Sequence, residues 1–468
     1  MDKVVASLDE AVADIGDGSV VGFAGFGLLH GYPVSLLHAL RRRGSRELTL
    51  VCNSLGAGRD VRMELIEEGQ VSKLIAAFSS RPGQRSVAED LIDAGKLDVE
   101  LVPQGILVER CRAAAAGVPA FFTAVGADTV LAEGKETRSF GDRPHVLETA
   151  LPLDYALLRG WKADTAGNVV FRGAAQNLNP SFAKAAECAI VEVEDIVEPG
   201  ELAPGDIDLP GIWVSRVVRA TERVSVAELA AGAAARRRAP DSARVYFDKT
   251  ALTREGIARR AARLLHEGAY ANLGTGMPTM VSNHLHGRDV TLHAENGFLG
   301  YGGLVSGDDI DPDVYNAASQ FVAVNSGASF FDSVESFEMA RSGKLDAVVL
   351  GAYQVDQDAN LANWTTPAQS GGGIGGAMDL VSGAKQLIIV MEHQDSRGRP
   401  KLVRHCDYPL TGAHCVDVVV TDLALLVRRD GEFWLDEVAP GFTPEEVLSL
   451  TDMDVRVSPD VVEMEPAE

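Results

Sequence analysis

Glu295 is the side chain in this sequence best placed to do chemistry. It lies in Leu292-His293-Ala294-Glu295-Asn296-Gly297-Phe298-Leu299-Gly300, at the end of the strand-like run that begins at Arg288, and an Asn-Gly turn follows it at once. An acid pointing out of the end of an apolar strand, with the chain turning sharply behind it, fits a working carboxylate. The bland alternative is a solvated turn residue. A glutamate in a cleft can be a nucleophile, a general base or a metal ligand. The metal reading lacks partners. His284, His286 and His293 are close in sequence, yet there is no H-E-x-x-H, and His284 and His286 fall on different sides of a helix. The acidic run of Asp308, Asp309, Asp311 and Asp313 lacks the turn glycine and closing glutamate of a calcium loop. No metal site is expected. A Ser-His-Asp hydrolase has no G-x-S-x-G to build on.

The second local signal is the glycine run Gly371-Gly372-Gly373-Ile374-Gly375-Gly376 ahead of Ala377-Met378-Asp379-Leu380. Glycines let backbone N–H groups approach a ligand closely. Met378 fills the last position of a G-x-G-x-x-G, so the dinucleotide reading is weak. Backbone N–H groups beside a glutamate suit an oxyanion hole; a flexible surface loop is the alternative.

The elements that must position these residues alternate short apolar strands with amphipathic helices, the pattern of an α/β fold with mostly parallel strands. Helices are expected near residues 7–14 and 252–266, and strands near 99–102, 347–350 and 386–390. The chain also repeats itself. Gly25-Phe26-Gly27 after one strand resembles Gly274-Thr275-Gly276 after another. Asp164 to Asn168 has the same four-residue step as Asp356 to Asn360. Residues 98–105, ending in Gln104-Gly105, resemble 289–297, ending in Glu295-Asn296-Gly297. Two related open α/β domains are therefore expected, 1–235 and 249–468, joined by a linker at 236–248, with an insertion in the first. Copied domains would put Gln104 and Glu295 at equivalent strand ends, facing a shared cleft beyond the carboxyl ends of the strands.

Bulk numbers narrow the class. The chain has 468 residues, 46% hydrophobic, with a formal net charge of −24. A nucleic-acid partner is excluded on charge grounds. The basic runs at 41–43 and 236–238 read as helix C-terminal ends. Five cysteines with no C-x-x-C indicate a reducing compartment and neither a disulfide framework nor a zinc site. The first residues read as an acidic helix and no apolar run approaches a membrane span. The expectation is a soluble, cytoplasmic protein.

Taken together, these motifs resemble those of class I coenzyme A transferases. The residues that carry the resemblance are the Glu295 stretch, Ala24-Gly25-Phe26-Gly27 with Gly31-Tyr32-Pro33, Pro103-Gln104-Gly105, residues 161–168, Leu361-Ala362-Asn363-Trp364, residues 375–385, and Pro409-Leu410-Thr411-Gly412 ahead of 418–422. They span nearly the whole chain in order, as in members of the 3-oxoacid type whose α- and β-type subunits are fused. The resemblance implies a duplicated fold of the CoA-transferase and NagB/RpiA-like kind. It implies Glu295 as covalent nucleophile, with the Gln104 amide and the Gly376 N–H as oxyanion donors. It places Gly25, Phe26, Gly27, Asn53, Asn296, Gly297, Gly375 and Arg81 around substrate or CoA. Asn296 or turn N–H groups would hold Glu295 ionised. No cofactor is implied, because coenzyme A is itself a substrate. The partners are an acyl-CoA and a carboxylic acid, with a homodimer or tetramer as the assembly. Succinyl-CoA as donor and acetoacetate as acceptor are favoured. The alternatives are 3-oxoadipate or another carboxylate, an acyl-CoA hydrolase, and a metabolite-binding protein on a related scaffold. Ala294 stands where the family usually has Ser, Ala24-Gly25 replaces Gly-Gly, residues 79–84 diverge, and Gly372-Gly373 replaces a Lys-Gly pair. These changes leave the substrate open.

Overall fold

Strand Leu48–Ser54 is buried along almost its whole length, as a strand covered on both faces must be. It sits inside a sheet whose order is Arg216–Arg219, Ala186–Val197, Leu153–Asp164, Val20–Phe23, Leu48–Ser54, Val71–Phe78 and Asp98–Leu101, with every neighbouring pair parallel. The computed structural model describes residues 1–27, 31–55, 61–80, 85–222 and 243–465. Arg81, the basic run at 236–238 and most of the expected linker lie outside the described residues. Helix Val34–Arg43 shows the expected ending for the first basic run. Arg41, Arg42 and Arg43 occupy its last turn, and Gly44 closes it in the left-handed region at φ 78°.

The second half is built on a ten-stranded sheet whose centre is parallel: Val290–Ala294, Ala269–Leu273, Ala347–Leu350, Leu387–Val390 and Val418–Val420. Antiparallel pairs extend it on both sides, and the last strand, Arg456–Glu463, adds in parallel to Glu432–Val438. The duplication is visible in strand order. Val20–Phe23 is followed outward by Leu153–Asp164, Ala186–Val197 and Arg216–Arg219; Ala269–Leu273 is followed by Ala347–Leu350, Leu387–Val390 and Val418–Val420. It is visible also in one turn. The Asp164 carboxylate accepts from the backbone and side-chain N–H of Asn168 at 2.9 and 2.8 Å, and Asp356 accepts the same pair from Asn360 at 3.0 and 3.0 Å.

One expected equivalence fails. On the other flank, the neighbour of Val20–Phe23 is Leu48–Ser54, and the neighbour of Ala269–Leu273 is Val290–Ala294. The counterpart of the Glu295 strand is therefore the one that ends at Asn53 and Ser54. Gln104 follows Asp98–Leu101, two strands further out. The insertion in the first half is made of extra parallel strands, which carry Gln104 away from the position its sequence likeness suggests.

Burial also fixes protonation. His393 is fully buried, with Nδ1 3.0 Å from the Thr421 hydroxyl and Nε2 2.9 Å from the Thr451 hydroxyl. Burial pushes its pKa down from 6.5 to about 3. A base whose folded pKa is depressed binds its proton more readily when unfolded, so stability falls as pH drops below 6.5. The unfolding free energy is expected to drop between pH 7 and pH 5 by about 2 kcal/mol on account of this group. Urea titrations at the two pH values should show that difference shrink in His393→Gln.

Candidate active site

Glu295 is held by a three-residue turn. Ala294 and Phe298 pair across two antiparallel strands, and Glu295, Asn296 and Gly297 close the loop, with the Gly297 N–H donating to Ala294 O at 3.0 Å. Gly297 has φ 103°, and a Cβ built there would stand 2.0 Å from the carbonyl oxygen of Phe331. The turn is thus pinned against the chain that leads into helix Ser333–Arg341. Gly297→Ala is expected to cost at least about 2 kcal/mol, from strain at positive φ and the backbone clash together. Urea unfolding of the variant checks this.

The Glu295 side chain is buried, and its Oε2 has no hydrogen-bond partner among the described residues. Burial pushes its pKa up, while its own backbone N–H and the Asn272 amide pull it back. A dry carboxylate oxygen with no donor is costly unless a ligand or reaction partner uses it. Of the two expected holders, the turn N–H of Glu295 itself pulls on the carboxylate, and Asn296 points elsewhere. Its Nδ2 donates to Tyr315 O at 2.8 Å. The group beside the carboxylate is Asn272, a fully buried amide on the adjacent strand whose Nδ2 donates to His293 O at 3.2 Å and to His293 Nδ1 at 3.1 Å. His293 in turn meets the Ser336 hydroxyl through Nε2 at 3.0 Å, and burial lowers its pKa to about 4. Neutral dipoles, with no cation among them, therefore back the acid. Asn272 was missed from sequence, although an amide inside the apolar run Ala269–Leu273 was a visible signal.

Gln104 opens helix Gln104–Ala115 and is buried. Its Nε2 donates to Asn53 Oδ1 at 2.6 Å, so Asn53 at the end of its own strand orients the amide. Its Oε1 stands 2.9 Å from where a Cβ on Gly376 would be. The Gln104 backbone N–H donates to Gly375 O at 2.9 Å. The glycine run is therefore docked on the first half and is not a loose surface loop. Ser79 and Ser80 both donate their backbone N–H to Gly372 O, at 3.0 and 3.3 Å. Gly375, at φ 58°, rests against the Phe78 ring.

Helix Ser333–Arg341 links the two clusters. Ser336 Oγ donates to Ala294 O at 3.4 Å, one residue before Glu295, and the Phe337 ring lies against Gly376. The N-terminal glycine turn joins from the other side. Gly27 packs on Ser319, since a Cβ there would be 2.1 Å from the Ser319 hydroxyl. Gly25 lies under the Tyr32 ring, and Phe26 is buried in the core. The three histidines singled out near Glu295 do not converge: His284 pairs with Glu255 at 2.7 Å, His286 lies beside Gly303, and His293 faces Asn272 and Ser336. Among the described residues no group of three or more His, Cys, Asp and Glu side chains could hold a metal ion. Nor is any described helix long and apolar enough to cross a membrane.

Comparison with known proteins agrees with this layout. The family model described as Coenzyme A transferase matches residues 5–220 and again 254–450. The chain is 37% identical over 483 residues to Succinyl-CoA:3-ketoacid coenzyme A transferase 2A, mitochondrial, of Rattus norvegicus, covering 97% of this chain and 90% of that protein. It is 38% identical over 490 residues to the Homo sapiens transferase 2, mitochondrial, covering 99% and 92%. The crystal structure of an acyl-CoA transferase apoenzyme from Escherichia coli O157:H7 superposes with a TM-score of 0.79 at 21% identity, covering 99% of this chain and 95% of that one, which shows the shared fold. The expected cytoplasmic location is corrected by these relatives. The rat, mouse and human proteins matched over the full chain are mitochondrial by name. Cysteine usage separates reducing from oxidising compartments but cannot tell one reducing compartment from another. With one family model matched in each half and more than a third of positions identical across the whole length, the chain belongs to the coenzyme A transferase family.

Proposed function

We propose that the protein moves coenzyme A from an acyl-CoA, with succinyl-CoA favoured, to a 3-oxoacid such as acetoacetate, through two covalent states of Glu295. A Glu295 carboxylate oxygen attacks the thioester carbonyl and expels CoA thiolate, leaving an acyl–glutamyl anhydride. The thiolate attacks the glutamyl carbonyl and expels the donor acid, leaving a glutamyl–CoA thioester. The acceptor carboxylate attacks that thioester and releases the thiolate. The thiolate then attacks the acceptor carbonyl of the new anhydride, frees Glu295 and leaves with the acceptor acyl group. A carboxylate suits this exchange because anhydride and thioester both keep the acyl group's transfer potential, which a serine ester would lose. The observation that carries the reading is the buried Glu295 oxygen with no partner. Desolvation strengthens a nucleophile that water would otherwise blunt. Each addition forms a tetrahedral oxyanion, for which the Gln104 amide and the Gly376 N–H are the donors. The donor and acceptor follow the names of the full-length relatives.

Succinyl-CoA alone is expected to release about one equivalent of succinate per active chain and then stop, as a ping-pong scheme requires. Addition of acetoacetate should restart turnover. Continuous succinate release without acceptor would establish a hydrolase, and no release would overturn the donor assignment. Acetate and 3-oxoadipate in the same assay rank the acceptors.

A further inference from the structure

Helix Gln104–Ala115 has no side-chain cap of its own, since Pro103 precedes it and supplies none. Its first turn carries free N–H groups that need acceptors. Both acceptors come from the other half of the chain. Gly375 O takes the N–H of Gln104 at 2.9 Å, and Asp379 Oδ2 takes the N–H of Gly105 at 2.9 Å. Asp379 is fully buried, lies in helix Ala377–Gly383 directly after Gly376, and pairs through Oδ1 with Arg341 Nη1 at 3.1 Å. Arg341 reaches back to Glu109 Oε2, on the Gln104 helix, at 3.3 Å. The approach is so close that a Cβ on Gly105 would stand 2.1 Å from Asp379 Oδ1 and 2.7 Å from Arg341 Nη1. Burial pushes the Asp379 carboxyl pKa up, against the pull of Arg341 and the Gly105 N–H. A negative group at a helix N-terminus is favoured by both the open N–H groups and the helix dipole.

We infer that Asp379, held by Arg341, is a positioning residue that caps the Gln104 helix across the two halves and thereby sets the separation of the two oxyanion donors, Gln104 and Gly376. The inference rests on the oxyanion role given to those residues above. Asp379 touches no reacting atom. It ties the start of one donor's helix to the residue three places after the other donor. A shift of about 1 Å in such a pair costs about 100-fold in rate without weakening ground-state binding.

The test is a double-mutant cycle on the full chain. Asp379→Ala is expected to lower kcat about 100-fold and Asp379→Asn, which keeps an oxygen for the Gly105 N–H, about 10-fold, with KM for acyl-CoA changed less than about twofold. In a Gln104→Ala background the same substitutions should cause little further loss, because their effect runs through Gln104. A purely structural role would reduce kcat by the full factor in both backgrounds, and that additivity would overturn the inference. So would unchanged kcat in Asp379→Asn. Should Asp379→Ala show no cooperative melt, the cycle is read on Asp379→Asn. A kcat unchanged in Gln104→Ala alone would instead remove the oxyanion reading itself, and the positioning role with it.

Discussion

Glu295→Gln is expected to leave a folded protein with CoA transfer reduced by at least about 10⁴-fold, the scale seen when a covalent nucleophile is removed. The substitution changes almost no volume. It exchanges a buried carboxylate, one oxygen of which has no partner, for a neutral amide, so the fold should be unharmed or slightly more stable. Loss of activity with retained stability separates a chemical role from a structural one. Covalent trapping sharpens the result. Wild-type protein given acyl-CoA and then borohydride should lose activity as hydride reduces the glutamyl thioester to an alcohol. Mass spectrometry should place the change on the peptide containing Glu295, and the Gln variant should show neither effect. Full turnover by Glu295→Gln would end the proposal.

Gln104→Ala is expected to lower kcat by about 10²- to 10³-fold, the usual cost of deleting one oxyanion donor. KM for acyl-CoA should move by less than about threefold, because the donor is needed where charge develops and not where substrate rests. Some stability should go as well, about 1 kcal/mol, since Asn53 Oδ1 loses its 2.6 Å partner in a buried site. Gln104→Glu should be the more damaging change. It would set an acid against Asn53 Oδ1 and against the forming oxyanion, where charge repels charge in a dry environment. Steady-state kinetics on the two variants, with thermal melts beside them, decide the matter. A kcat unchanged in Gln104→Ala would remove the amide from the mechanism.

The parts of this molecule legible from sequence were those with local physical signatures. The α/β alternation, the strand at Ala347–Leu350, the paired Asp–Asn turns and the turn at Glu295 all follow from spacing within a few residues. Helix lengths were less legible. The expected helix at 7–14 is only Leu8–Ala11, capped by Ser7, and that at 252–266 is Arg254–Ala262, capped by Thr253. The chain leaves the helix sooner than its amphipathic pattern does, because ends are set by caps and tertiary contacts. Strand order was not legible at all. Local likeness matched Gln104 to Glu295, while pairing in space matches the Glu295 strand to the one ending at Asn53. Long-range partners were equally hidden. Asn272 and Asp379 make contacts that only the folded chain creates, and the expected partner Asn296 turns its amide to Tyr315.

The Gly372 carbonyl takes two backbone N–H groups, from Ser79 and Ser80, and Gly375 and Gly376 fit against Phe78 and Gln104. The same seam is apolar as well as polar, since one core cluster contains Val51 and Ile106 of the first half together with Phe337 and Met378 of the second. Covalent continuity adds to that burial, because a partner on the same chain arrives at an effective concentration near the millimolar range. A single chain thus keeps the two halves in one-to-one pairing at any dilution.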